Sequence, residues 1–420
     1  MVWLRSLLRP QSHHASLLLE RICLAVLAII FIIRFPVQFW LHPPFLMDFN
    51  VYHFAANLVA TGHGHALYRE AYSPGVLYMY APIWAVVWTP LALLSLHHAA
   101  VVWGLLSVGW LIATLWCADR LAELAGLRVW PWASVLAVLL LSRILITEFG
   151  NGQADVWWGG LVACFLVCEL RGQAHLAAIS LALSMALKLP SAIVLPYLLI
   201  TGRWRSAVRA AGWFIFLVVV GAVLVDPRNP GFVLAEWGRC LLATGPPSMF
   251  RIGDQSFTAL MARLLTADGY GLNVLSLTRP AVTMVAMILE AGLFSLIALP
   301  FVRPQRRVAD FVIDGALLMI LMALASPSCW LATHSVHLLP TALATTLLAN
   351  HPSRALRDPW SLLFAGLTGL FSFLTHSKFL RAMGLASWQG ETYVFLVLMV
   401  APLMALSLFA FLRRQRLRNA

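Results

Sequence analysis

Long apolar runs recur along this chain. In hydrocarbon every peptide N–H and C=O must find its partner within the protein, so such runs are confined to helices packed against one another. They lie at 17–40, 79–96, 101–117, 130–146, 156–170, 175–200, 211–225, 281–301, 311–325, 330–349, 361–374 and 393–412. With 61% hydrophobic and 11% charged residues among 420, the chain is too apolar for a soluble protein. The expected fold is an all-α polytopic membrane protein: one integral domain over 1–420, built from about twelve transmembrane helices. No small-residue cleavage site accompanies the first run, which therefore reads as a retained anchor. Neither an internal repeat nor a low-complexity segment interrupts the pattern.

The net charge of +12 is almost all arginine, lysine occurring only at Lys188 and Lys378. Arg5, Arg9, Arg21, Arg203, Arg205, Arg303, Arg306, Arg307, Arg354, Arg357 and the run Arg413 to Arg418 fall on one side of an even-numbered bundle. The positive-inside rule makes that side, and both termini, cytoplasmic. Such charge marks topology and lipid contact, not nucleic-acid affinity. The segments at 41–78, 226–256, 326–329 and 376–391 then face outward, and the second carries Trp237 and a Gly245-Pro246-Pro247 turn. Strict parity places Arg143, Glu148, Asn151, Gln153 and Asp155 inside; a break at Lys188 and Pro190 would shift it.

Polar groups within or beside the apolar runs carry the chemistry. Asp48 is one of only 17 acidic residues and sits where the first run emerges, a position that suits a catalytic base. Lys188 falls inside a run, where an ammonium costs about 2.5–3.5 kcal/mol and calls for an anionic partner. That partner is a lipid phosphate or, alternatively, Asp155 or Glu148. Pro190 frees backbone groups beside it, which is tolerated at membrane depth where they line a cavity.

Ser256 is expected to cap a short amphipathic helix over 257–265 that bears Arg263, while Arg251 and Gln255 are placed to hold a phosphate or a sugar hydroxyl. His334 and His337, three apart, share a helical face and suit hydrogen bonding or proton relay near an acidic base; a metal site lacks a third ligand. The six cysteines lack zinc or disulfide spacing and read as packing residues.

In order, Asp48 and Tyr52, Gly62 with Leu67-Tyr68, Tyr80-Ala81-Pro82 with Pro90-Leu91-Ala92, Gly152-Gln153, Lys188-Leu189-Pro190, Asp254-Gln255-Ser256 and Ser326-Pro327 resemble glycosyltransferase family 87. This is a branch of the GT-C membrane glycosyltransferases that includes mycobacterial polyprenyl-phosphomannose-dependent α-1,2-mannosyltransferases. The likeness runs from about Asp48 to Pro340; the usual pattern has Asn where this chain has Asp254.

The resemblance implies a GT-C type bundle in a bacterial inner (plasma) membrane, with its active site formed by extracytoplasmic loops. It implies inverting transfer of a sugar, mannose by preference, from a polyprenyl-phosphate donor to a glycan or glycolipid acceptor. Asp48 would deprotonate the acceptor. Lys188, with Arg143 or Arg251, would meet the departing phosphate, and Tyr52, Gln153, Asp155, Asp254, Gln255, Ser256, Arg263, His334 and His337 would complete the donor and acceptor site. No cofactor or metal is expected, Asp-x-Asp being absent. The alternative is a polytopic transporter or flippase of lipid-linked sugars, against which stands the missing repeat. A polysaccharide ligase using a lipid pyrophosphate would call for a denser arginine cluster.

Overall fold

A computed structural model describes residues 46–73, 75–248, 253–267, 274–298, 307–351, 357–374 and 391–419. The first apolar run, Arg251 and most of the 376–391 segment lie outside them. Among the described residues the regular elements are all helical, with one isolated bridge between Ser73 and Val76. They are α1 Met47–Ala60, α2 Pro82–Ala92, α3 Leu96–Leu124, α4 Pro131–Leu140, α5 Ser142–Asn151, α6 Asp155–Leu170, α7 Ala174–Leu187 and α8 Val194–Ile200. There follow α9 Trp204–Val225, α10 Pro230–Ser248, α11 Phe257–Leu265, α12 Arg279–Ala298, α13 Val308–Leu324, α14 Leu338–Asn350, α15 Pro359–Leu374 and α16 Glu391–Asn419.

Three of these helices, α3, α9 and α12, are individually long and apolar enough to cross a membrane, and the bent pair α4–α5 passes as one more. Other runs fold as shorter apolar helices, so the count of twelve is not reproduced as twelve uninterrupted spans. The run at 130–146 breaks at Leu141, which sits in the bridge region at φ −96°, ψ 8°, and the two helices meet at 67°. The run at 175–200 breaks at Lys188, whose extended φ −144°, ψ 120° ends α7 before Pro190 opens a 3₁₀ turn over Leu189–Ile193. A third break is the 3₁₀ segment Leu331–His337 ahead of α14.

The segment at 226–256, expected to face outward, is mostly helix. Helix α10 runs through Gly245-Pro246-Pro247, where the sequence suggests a turn, and the two prolines stand in its last turn.

Burial separates two kinds of helix. Every residue of α13 from Phe311 to Leu324 is buried, as is nearly all of α14, and helices apolar all round belong at the centre of a bundle. By contrast α9 exposes Ile215, Phe216, Val219 and Val223, and α12 exposes Met284, Met287 and Ile288, as helices facing lipid do. A groove of about 320 Å³ on α9, lined by Arg209, Gly212, Trp213 and Phe216, belongs to that outer face.

Candidate active site

The polar residues gather where helices break. Gly152 ends α5 in the left-handed conformation, φ +66°, and a Cβ there would stand 2.7 Å from the Phe49 Cβ. Only glycine meets both demands, and the reversal brings Gln153 across the start of α1. Gln153 Nε2 donates to Asp48 Oδ2 at 2.9 Å. Asp48 itself is half-buried in the first turn of α1, a helix too short to be a span, and its other oxygen has no hydrogen bond among the described residues. Burial pushes its carboxyl up to about 6, against the lowering effect of the Gln153 bond and of Lys188 nearby.

Two residues further on, Asp155 opens α6 fully buried and pairs with Lys188 Nζ. Thr333 joins them, accepting from Lys188 and donating to Asp155 Oδ2, both at 3.4 Å. Glu148, the other candidate partner, instead accepts from the Val156 N–H at 2.9 Å and so caps α6. The Lys188 ammonium also stands 5.5 Å from the centre of the Trp158 ring. Among the described residues the anionic partner of Lys188 is therefore Asp155.

On the opposite wall, Asp254 takes one main-chain N–H on each oxygen, Ser256 at 2.8 Å and Cys329 at 2.9 Å. Gln255 N–H donates to the Cys329 carbonyl at 2.6 Å, and Arg263 donates to the Asp254 carbonyl. Ser256 Oγ caps α11 by accepting from Ala259 N–H at 3.0 Å, as expected from the sequence. The Asp254 carboxyl is also pushed up to about 6, by burial first and in spite of these bonds.

His334 Nε2 lies 3.6 Å from Cys329 Sγ and beside the Gln255 main chain, with the His337 ring edge-on at 5.0 Å. Cys329 is within electrostatic reach of both Asp155 and Lys188, which joins the two walls.

The structure thus brings Asp48, Gln153, Asp155 and Lys188 into one group, and Asp254, Gln255, Ser256, Arg263, His334 and His337 into a second beside it. Tyr52 reaches the first through Tyr80, hydroxyl to hydroxyl at 2.8 Å. Arg143 joins neither group by a hydrogen bond or ion pair among the described residues; its Nε is buried without a partner there. Sequence reasoning assigned no site role to Thr333, Cys329 or Tyr80. The first two lie in a segment singled out only for its histidines, and Tyr80 was marked by the Tyr80-Ala81-Pro82 motif alone.

Residues 78–327 match the sequence profile of glycosyltransferase family 87. The chain belongs to glycosyltransferase family 87. Gln153, Lys188 and the Asp254–Ser256 turn fall inside the matched stretch, while Asp48 and Tyr52 precede it. A polyprenol-phosphate-mannose-dependent α-(1-2)-phosphatidylinositol mannoside mannosyltransferase of Mycobacterium tuberculosis is 27% identical over 254 residues. That alignment spans 54% of this family 87 chain and only 56% of the relative. The crystal structure of ArnT from Cupriavidus metallidurans bound to undecaprenyl phosphate superposes with a TM-score of 0.43 at 13% identity, over 92% of this chain and 78% of that one.

Proposed function

We propose that this family 87 chain transfers a sugar, mannose by preference, from a polyprenyl-phosphate donor to a glycan or glycolipid acceptor on the extracytoplasmic face, with inversion. The observation that carries the reading is the Asp48 carboxylate: half-buried, held by Gln153 through one oxygen, with no hydrogen bond to the other among the described residues, beside the Lys188–Asp155 pair. A carboxyl near 6 is largely ionised at neutral pH yet basic enough to take a proton, a useful compromise for a general base.

In the proposed step Asp48 takes the acceptor hydroxyl proton. The acceptor oxygen forms its bond to the anomeric carbon, and the bond to phosphate breaks with its electron pair leaving on the phosphate. Lys188 stands on the phosphate side, its charge shared with Asp155. Gln255 has a buried side-chain oxygen with no partner among the described residues and accepts from a sugar hydroxyl. His334 and His337 border the same place, and Arg251, outside the described residues, remains a candidate for the phosphate. The dependence of the M. tuberculosis relative on polyprenol-phosphate-mannose supports this choice of donor.

The test is a donor panel offered to purified protein in detergent: polyprenyl-phosphate mannose, polyprenyl-phosphate arabinose and a nucleotide sugar. Release of free polyprenyl phosphate from the mannosyl donor is expected. Transfer from the nucleotide sugar, with no release from either lipid donor, overturns the reading.

A further inference from the structure

Tyr80 has a role in neither the ion pair nor the base. Its hydroxyl meets that of Tyr52 at 2.8 Å, with the rings edge-on and 5.2 Å apart between centres. Either hydroxyl can donate in this contact; because Tyr52 is 1% exposed, donation from Tyr52 to Tyr80 is the arrangement that leaves no buried hydroxyl proton unpaired. In that arrangement the Tyr80 proton has no acceptor among the described residues. The partly exposed Tyr80 lies within electrostatic reach of Lys188, Asp155 and Asp48 together.

Its placement is over-determined. Trp88 packs on both tyrosines, with centres 4.6 Å from Tyr52 and 5.7 Å from Tyr80. Tyr68 Oη donates to the Tyr80 carbonyl at 2.7 Å, and Trp237 Nε1 on α10 donates to the Met79 carbonyl at 3.1 Å. Tyr68 and Trp237 therefore fix the main chain at Tyr80 and at the residue before it.

The charge balance shows what is missing. Lys188 is neutralised by Asp155, and the Thr333 proton is directed at the same carboxylate. A phosphate gaining charge as it departs needs a further donor with a proton to spare.

We infer that Tyr80 is a further catalytic residue, donating a hydrogen bond to the lipid phosphate as the bond to the sugar breaks, with Tyr52 as its positioning residue. Tyr80 keeps its proton throughout: the acceptor proton goes to Asp48 and the electron pair leaves on the phosphate. The inference rests on the polyprenyl-phosphate reading above.

The test uses the full chain in detergent micelles with polyprenyl-phosphate mannose, reading polyprenyl phosphate release and, separately, the binding of unglycosylated polyprenyl phosphate. Tyr80→Phe should lower kcat about 100-fold, as loss of one preorganised donor does, with donor KM nearly unchanged. Affinity for polyprenyl phosphate should drop about tenfold. Tyr52→Phe should cost about tenfold in kcat, and the double variant should be no worse than Tyr80→Phe, since Tyr52 acts only through it.

An active wild type beside a Tyr80→Phe protein that keeps more than half of its kcat overturns this inference alone. If Tyr80→Phe aggregates, Tyr52→Phe decides: unchanged kcat overturns the inference and a clear loss upholds it. A wild type that releases no polyprenyl phosphate from any lipid donor overturns the donor reading, and this inference with it.

Discussion

Half-buried Asp48 and buried Asp254 both carry carboxyls pushed up to about 6 by desolvation, yet they are held in opposite ways. Asp254 spends both oxygens on main-chain N–H groups from two segments, stapling the 253–256 turn to the 326–329 turn. Among the described residues Asp48 spends one, on a side chain, and keeps the other. A carboxylate with both oxygens committed to backbone is architecture; one with an oxygen to spare is available for chemistry. The same shift in basicity therefore does not imply the same role.

The contrast can be pressed first at Lys188, where the expected effect is largest. Lys188→Met leaves the buried Asp155 carboxyl without its partner, and such broken pairs cost about 3–5 kcal/mol. A thermal-shift measurement in detergent should show that loss, and Lys188→Met with Asp155→Leu should recover most of it, because removing both charges is far cheaper than removing one. Full stability in the single variant would mean that Lys188 is not held by Asp155.

A smaller effect sharpens the reading of Asp48. A base near 6 must be deprotonated to work, so kcat/KM should fall as pH drops through about 6. The Gln153 hydrogen bond lowers the Asp48 value, so Gln153→Leu should move this acid limb upward, by about one pH unit for a bond of ordinary strength. A limb that stays in place would separate it from Asp48.

Much of the fold was legible in the sequence because its signals are local. Pro190 after Lys188 announced the break that ends α7, and Ser256 ahead of an apolar helix announced the α11 cap. The likeness to family 87 was carried by short motifs in order, and the profile match over 78–327 includes most of them. What escaped depends on contacts across long separations. Lys188 had Asp155, Glu148 and a lipid phosphate as candidate partners, and only the turn of α5 into α6, which gives Glu148 to the Val156 N–H, leaves Asp155 for the lysine. Tyr80 and Tyr52 are 28 positions apart, and no periodicity links them. Helix α10 was hidden because Gly245-Pro246-Pro247 reads as a turn when proline is judged without its context.

The most direct measurement sets Asp48→Asn beside Asp254→Asn, both assayed for polyprenyl phosphate release and for thermal stability at pH 7.5. An amide at Asp48 cannot take the proton, so release should fall by about 10²–10⁴-fold. Stability should hold or rise: a carboxyl raised in the fold stabilises at low pH, and that contribution is lost as pH climbs through about 6, so a neutral amide escapes the penalty. At Asp254 the amide escapes the same penalty, but it keeps one acceptor and leaves a buried main-chain N–H facing an NH₂ group, which costs about 1–3 kcal/mol against that relief. Catalysis there should change far less than at Asp48. Retention of more than about a tenth of wild-type release by Asp48→Asn, or a deeper catalytic loss at Asp254 than at Asp48, would contradict the assignment of Asp48 as the base.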